Sequence, residues 1–323
     1  MTFAPAKRTG IVPLVGLFGK SFTGKSYSAL LLMRGLIGPK GRMGAIDTEG
    51  RRLSINVGRE AGDFEVLDME APFTPEKYCE AMDLAFEAKF DGLLIDSASH
   101  EWFSYLEIKQ AWIDERCGDD WKKADKLALA AAAKCKPAHN RFVAKLLRSP
   151  IPIILCFRGK DKVQMGKDDR GKTTIIQPEH SSPIQDSGLI YEMLIAGETL
   201  NLEDDSENRI GCFRPTKWTH PDLLHCLPRE GEQIGIKHGQ AIAQWCANPG
   251  GSPKLEPKEA PKAAKSPKAQ LWDIMKREGQ SPYEFSVWAI ENDVMADTEE
   301  LSGLSDKRMA EVLEKTKTKL DIV

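Results

Sequence analysis

Residues 19–26 read G-K-S-F-T-G-K-S, a full match to the pattern G-x-x-x-x-G-K-[ST]. Glycines without a Cβ let backbone N–H groups close around phosphate oxygens, so Gly19, Lys20, Ser21, Phe22, Thr23 and Gly24 form a candidate phosphate cradle. Lys25 is then placed to reach the β- and γ-phosphates, and Ser26 offers a hydroxyl to Mg²⁺. Tyr27 completes the candidate nucleotide-contacting set. The flanks agree with this reading. Residues 14–18 (L-V-G-L-F) read as a buried strand, and 27–36 (Y-S-A-L-L-L-M-R-G-L) as a helix. A helix starting at Lys25 aims its positive end at the phosphates. Strand, loop and helix in this order predict an α/β fold that binds a nucleoside triphosphate.

The chain has 323 residues, enough for one large domain and a small one. Hydrophobic content of 41% and charged content of 29% describe a soluble protein able to bury a core. With a formal net charge of −3, any contact with nucleic acid must rest on a local basic patch rather than a global field. The seven cysteines, at 79, 117, 135, 156, 212, 226 and 246, include no C-x-x-C pair and predict buried thiols in a reducing cytosol. His220, His225, Cys226, His238 and Cys246 come nearest to a metal set, but their spacings match no zinc pattern, and packing is their expected role. The N-terminal M-T-F-A-P-A-K-R-T-G lacks the apolar core of a signal peptide, and no run of about 18 apolar residues occurs. A cytoplasmic protein without a membrane partner is expected.

From residue 11 to about 246, short apolar runs alternate with helical stretches, the pattern of a mostly parallel sheet. Residues 43–47 read as a strand ending in Asp47-Thr48-Glu49, 64–67 as another, and 92–95 as a buried strand that stops at Asp96. Pro75 opens a helix to about residue 89, residues 101–148 are mostly helical, and 152–157 form the next core strand. Beyond it the expectation turns antiparallel. Residues 162–166 and 173–177 flank K-D-D-R-G-K in a β-hairpin, 189–196 and 209–213 are further strands, and 239–246 is a closing helix. Residues 247–268 are rich in Pro, Lys and Ala and cannot bury enough surface to order themselves, so they read as a flexible linker. Residues 269–323 read as three helices, the middle one opened by Ser281-Pro282. Their expected core is Leu271, Trp272, Met275, Phe285, Trp288, Leu301, Leu304, Met309, Val312 and Leu313. The domain reading is therefore 1–246, a linker over 247–268, and a small helical domain over 269–323.

A phosphate loop alone names no function; the accessory residues decide. Asp96 ends an apolar strand and fits the second acidic element that holds the Mg²⁺ water shell. Ser97 follows it where many machines carry a glutamate, so the carboxylate for hydrolysis must come from elsewhere. Glu49 lies just past the 43–47 strand, at the same sheet edge as the loop if that strand is parallel, and can position or deprotonate water. A turn-capping role for Glu49 is the alternative, and Glu101 is the reserve carboxylate.

The segments G-K-S-F-T-G-K-S at 19–26, I-D-T-E at 46–49, L-I-D-S at 94–97, F-R-G-K at 157–160 and P-T-K-W at 215–218 together resemble RecA-like P-loop ATPases. Within that group they resemble the phage AAA-domain proteins linked to DNA recombination and single-strand annealing, over residues 11 to 246. The resemblance implies ATP and Mg²⁺ as cofactors, Glu49 as catalytic carboxylate, Asp96 as the magnesium residue, and Arg158 or Lys160 as a sensor. It also implies a homo-oligomer in which a basic residue reaches a neighbour's nucleotide; Lys217 is the closest match, a solvated lysine being the alternative. Lys20 opens a competing reading, the deviant loop of ParA/MinD-type partition ATPases. Those proteins carry glycines where Ser21 and Phe22 stand, and D-x-P-P in place of D-S-A-S at 96–99.

RecA-like enzymes place a DNA-contacting loop after the strand matching 152–157. Here Arg158, Lys160, Lys162, Lys167, Arg170 and Lys172 face only Asp161, Asp168 and Asp169 in composition. Such a local excess suits salt-sensitive binding of DNA, single-stranded DNA being the expected form, although the hairpin holds no aromatic to stack bases. A solvated hairpin kept soluble by charge is the bland alternative. A small-molecule kinase would need an arginine-rich lid, which no segment supplies. A nucleotide-gated binding module that recruits a single-strand-binding or recombination partner through 269–323 stays open beside the DNA-stimulated ATPase.

Overall fold

The computed structural model describes residues 10–118, 120–161, 164–167, 173–176, 181–203, 208–247, 267–296, 299, 301 and 304–320. Residues 248–266 of the expected linker lie outside these. The chain divides into two compact units, Met1–Leu255 and Glu256–Val323.

The larger unit begins β1 (Leu14–Gly19), α1 (Lys25–Ile37), β2 (Met43–Asp47), a 3₁₀ turn (Arg52–Asn56), β3 (Glu65–Asp68), α2 (Pro75–Glu87) and β4 (Gly92–Asp96). Two long helices follow, α3 (Ser99–Cys117) and α4 (Trp121–Leu147), then β5 (Ile153–Asp161). β6 (Gln164–Lys167) and β7 (Thr173–Ile176) form the antiparallel hairpin expected there, and β8 (Ser181–Pro183) pairs with the end of β5. The unit closes with α5 (Ser187–Glu192), β9 (Ile195–Glu203), β10 (Asn208–Trp218), α6 (Pro221–Leu224) and α7 (Ile236–Ala247).

The main sheet has the order β10-β9-β1-β5-β4-β2-β3, with every neighbouring pair parallel except β9–β10. Its central strands are apolar on both faces, as a sheet covered on two sides requires. Val15, Leu17, Ala45, Leu94, Ile154 and Cys156 pack towards α1 and α7, whereas Leu14, Phe18, Ile46, Leu93, Ile95, Leu155 and Phe157 pack with Tyr78, Met82 and Phe142 of α2 and α4. The result is a three-layer α/β fold with a mostly parallel sheet, as the alternation of apolar runs predicts. Local signals set the helix boundaries. Thr74 caps α2 through Lys77 N at 3.3 Å with Pro75 in the first turn, and Asp120 caps α4 through Lys123 N at 3.1 Å.

Two expectations need correction. Residues 189–196 are not one strand: Asp186 accepts the Gly188 N–H at 3.2 Å and starts α5, and extended chain resumes only at Ile195. Burial of Leu189 beneath the sheet beside exposed Tyr191 is what one short helical turn produces, and alternation over three residues cannot tell the two apart. β9 is also parallel to β1, because the chain from β5 to β9 crosses back before pairing.

Helices α1 and α7 meet at two glycines. A Cβ on Gly35 would stand 2.1 Å from Ile236 O and 2.7 Å from Gly239 Cα, and one on Gly239 would stand 2.1 Å from Leu32 O. At the far end of α1, buried Arg34 donates to the carbonyls of Ala61 (2.7 Å), Gly41 (2.7 Å), Asp63 (2.7 Å) and Gly38 (3.1 Å), tying the helix C-terminus to two loops.

The smaller unit holds α8 (Pro267–Arg277), α9 (Pro282–Glu291) and α10 (Asp306–Lys319). Ser281 and Glu284 form a reciprocal capping box at the start of α9. Leu271, Ile274, Met275, Phe285, Ala289, Met309, Val312 and Leu313 form the core, with Trp288, Leu301 and Leu304 packed on it. Trp272 departs from expectation: it is half exposed, because one residue past Leu271 is a turn of about 100° away from the 271/274/275 face. Among the described residues, no helix is long and apolar enough to cross a membrane.

The glycine crossing gives a direct test. Gly35→Ala and Gly239→Ala should each cost about 2 kcal/mol or more in chemical denaturation, since backbone atoms must move apart. Gly235→Ala, where a Cβ meets nothing within 4 Å, should change stability by less than about 0.5 kcal/mol.

Candidate functional site

Parallel pairing brings the C-terminal ends of the strands to one edge. Gly19 stands opposite Arg158, Asp96 opposite Cys156, and Asp47 opposite Asp96. The loop after β1, the turn after β2, the start of α3 and the end of β5 therefore meet, the place where open α/β sheets bind ligands.

The loop of residues 19–24 is packed against β9 and β10. A Cβ on Gly19 would lie 2.6 Å from Thr199 O and 2.7 Å from Thr23 Oγ1. Gly24 has φ +74°, and its Cβ would lie 2.9 Å from Gly211 N. Buried Thr23 and Thr199 share a hydroxyl–hydroxyl bond of 2.8 Å, and Gly211 N donates to Thr23 O at 3.1 Å. Lys20 is turned outward to Asp161 at 2.9 Å. Ser21 and Phe22 are exposed, and Phe22 adopts φ +65° at the loop tip. Lys25, Ser26 and Tyr27 are half-buried in the first turn of α1, and the Arg59 guanidinium lies 3.9 Å from the Tyr27 ring centre.

Three carboxylates crowd this edge, each with a different remedy. Asp47 accepts Glu49 N at 2.7 Å and Leu53 N at 2.9 Å, so it shapes the turn that carries Glu49. Glu49 Oε1 accepts from Arg158 Nη2 at 2.9 Å and Nε at 3.2 Å. Burial opposes the Glu49 charge, but the Arg158 hydrogen bond and the charges of Arg158 and Lys25 prevail and hold its pKa below the ordinary value. Asp96 is buried and bonded to the Ser26 side chain. Burial pushes it up to about 6, against Ser26 and Lys25 and helped by repulsion from Glu49 and Asp47. An under-compensated buried carboxylate beside a serine hydroxyl is a hard oxygen donor set, which fits Mg²⁺, while the glycine cradle fits phosphate.

The other candidates lie apart from this cluster. Glu101 is fully buried and accepts from, or shares a proton with, His139 Nδ1 at 2.9 Å in the packing of α3 on α4. The Lys217 ammonium donates to the carbonyls of Tyr191 and Met193, and its strand position pairs through Ala196 with Gly16, about 10 Å along β1 from Gly19. It therefore sits towards the opposite sheet edge from its own phosphate loop. Lys160 is exposed near the end of β5, Lys167 pairs in register with Thr173 in the hairpin, and Lys162, Arg170 and Lys172 lie outside the described residues. His220 accepts Asp222 N at 3.2 Å and His238 accepts Gly235 N at 3.0 Å. Among the described residues, no group of three or more His, Cys, Asp or Glu is arranged to hold a metal ion.

By sequence, the chain matches no family model and no curated protein. Among solved structures it is similar to a KaiC-like protein of the hyperthermophilic archaeon Pyrococcus horikoshii, at 13% identity and a TM-score of 0.36, over 66% of this chain and 88% of that one.

Two residues of the site, Asp96 and Lys25, each set an expectation. A raised carboxyl pKa means that the folded state holds its proton more tightly than the unfolded state. Wild-type stability should therefore fall as pH rises from 3.8 to about 6, relative to Asp96→Asn, and the difference should level off above that. Melting curves of both proteins across this range check it; a pH-independent difference would contradict it. Lys25→Ala should abolish binding of a labelled ATP analogue, because the main charge facing the β- and γ-phosphates is gone.

Proposed function

We propose that this protein is a Mg²⁺-dependent, RecA-like ATPase that works on DNA as a homo-oligomer, in recombination, replication or repair of the phage type. The observation that carries the ATPase reading is the meeting of the 19–26 loop, Asp96 and Glu49 at one sheet edge. Lys25 and the amides at the start of α1 bind the triphosphate. Ser26 and Asp96 would hold Mg²⁺, whose charge, when bound, screens the phosphates. Glu49 orients the attacking water and accepts its proton. Arg158 is the sensor: it touches Glu49 and begins the basic stretch leading to the β6–β7 hairpin, so a ligand on that hairpin can act on the catalytic carboxylate.

The DNA reading is supported by that local excess of positive charge and by the sequence resemblance to phage AAA-domain proteins. In an oligomer, Lys217 acts on a neighbour's nucleotide. The helical unit, with exposed Trp272, Tyr283 and Val287, serves to recruit a protein such as a single-strand-binding protein in the host cytoplasm.

Two measurements test this. Wild-type ATP turnover should rise with single-stranded DNA and lose that stimulation as salt increases; turnover indifferent to DNA would remove the DNA assignment. Glu49→Gln should bind the ATP analogue like wild type yet hydrolyse ATP at least about 100-fold more slowly, since an amide accepts no proton. Unchanged turnover in that variant would transfer the role to another carboxylate.

A further inference from the structure

The turn that carries Glu49 is pinned from two sides. On the β2 side, Asp47 holds the Glu49 and Leu53 amides. On the other side stands a histidine with no place yet in the chemistry. His100 lies in the first turn of α3, and its Nδ1 is 2.7 Å from Thr48 Oγ1. Its ring stacks on Phe73, with centroids 4.9 Å apart and planes 18° apart.

The direction of the Thr48–His100 bond is assigned from its neighbours and their distances. Thr48 is buried, and its oxygen accepts Ser97 N–H at 2.8 Å. Its single proton has two acceptors in reach, Ser97 O at 3.3 Å and His100 Nδ1 at 2.7 Å. Ser97 O already receives the Tyr78 hydroxyl at 2.8 Å. We assign the Thr48 proton to Nδ1, the shorter of its two contacts, with the imidazole neutral and its own proton on Nε2. The electrostatics agree: burial first, then the Arg158 charge, lower the His100 pKa, with Glu49 opposing.

We propose that His100 is a positioning residue for ATP hydrolysis: its neutral imidazole fixes Thr48, and through Thr48 the turn that aims the Glu49 carboxylate. Thr48 also links that turn to the Asp96–Ser97 segment, since Thr48 N donates to Asp96 O at 2.8 Å and Thr48 Oγ1 accepts Ser97 N–H. The magnesium-side and water-side carboxylates are thus held in one frame that does not depend on nucleotide contacts made by His100 itself.

This inference rests on the ATPase reading, and the test separates the two. Steady-state ATP hydrolysis would be compared for wild type, His100→Ala, His100→Asn, His100→Phe, Thr48→Val and the Thr48→Val/His100→Ala double variant. His100→Ala should lower kcat about tenfold or more while KM for ATP stays within about twofold, as loss of orientation without loss of ground-state binding requires. Asparagine Oδ1 can take the Thr48 proton as Nδ1 does, so His100→Asn should recover kcat to within about threefold of wild type. His100→Phe keeps the ring against Phe73 but offers no acceptor and should stay low. Thr48→Val, which also takes the acceptor from Ser97 N–H, should be as slow as the double variant, because the Thr48–His100 bond is already absent from it.

A wild-type-like His100→Phe with a slow His100→Asn would make the residue a packing element and overturn the proposal. So would an unchanged kcat in His100→Ala while Glu49→Gln is inactive, and in that case the ATPase reading survives. A wild-type protein without turnover overturns the ATPase reading and this assignment with it. If His100→Ala does not fold, His100→Asn and Thr48→Val decide the question alone.

Discussion

The parallel register of β1, β5, β4 and β2 is the constraint on which the site depends. These strands are buried on both faces, so a slip of one residue would exchange every side chain between the two helical layers. Such a slip would also draw Asp47 and Asp96 off the edge and into apolar surroundings, where an uncompensated carboxylate is prohibitively costly. Apolar interiors and polar last residues thus enforce the same alignment. The phosphate loop, the acidic turn and the basic strand end are neighbours because no other register satisfies both.

Concentrating negative charge beside a loop of the G-x-x-x-x-G-K-S type demands explanation. Asp47 is satisfied by backbone amides and acts as a structural anchor, while Glu49 is countered by the Arg158 guanidinium. Asp96 is left short of positive charge, which favours a cation at that point. The three carboxylates are thus compensated to different degrees, and the least compensated, Asp96, lies beside Ser26 in the first turn of α1.

The G-x-x-x-x-G-K-S loop, the covered parallel sheet and the helix start at Ser281 were legible because each is written in a few adjacent residues: two glycines, an apolar run, a serine followed by a proline. What escaped depends on residues distant in sequence. Nothing around Thr23 announces Thr199, and nothing in a lone histidine after Ser99 announces a hydroxyl fifty positions earlier. Asp47 was visible as a strand end, but its grip on two amides was not. The parallel placement of β9 depends on the route of a whole crossover, which local alternation does not encode. The position of Lys217 near the far sheet edge follows from that same strand pairing.

The close crossing of α1 and α7 has a consequence for the order of events during synthesis. The helix that presents Lys25 finds its packing partner, Gly239, only near the end of the larger unit, and β1 waits for β5 and β9 on its two sides. A ribosome must therefore release almost the whole of this unit before the first strand and helix can settle. The nascent chain carries the 19–26 loop long before that loop has β9 and β10 to pack against, and its early apolar segments stay exposed until the last helix arrives.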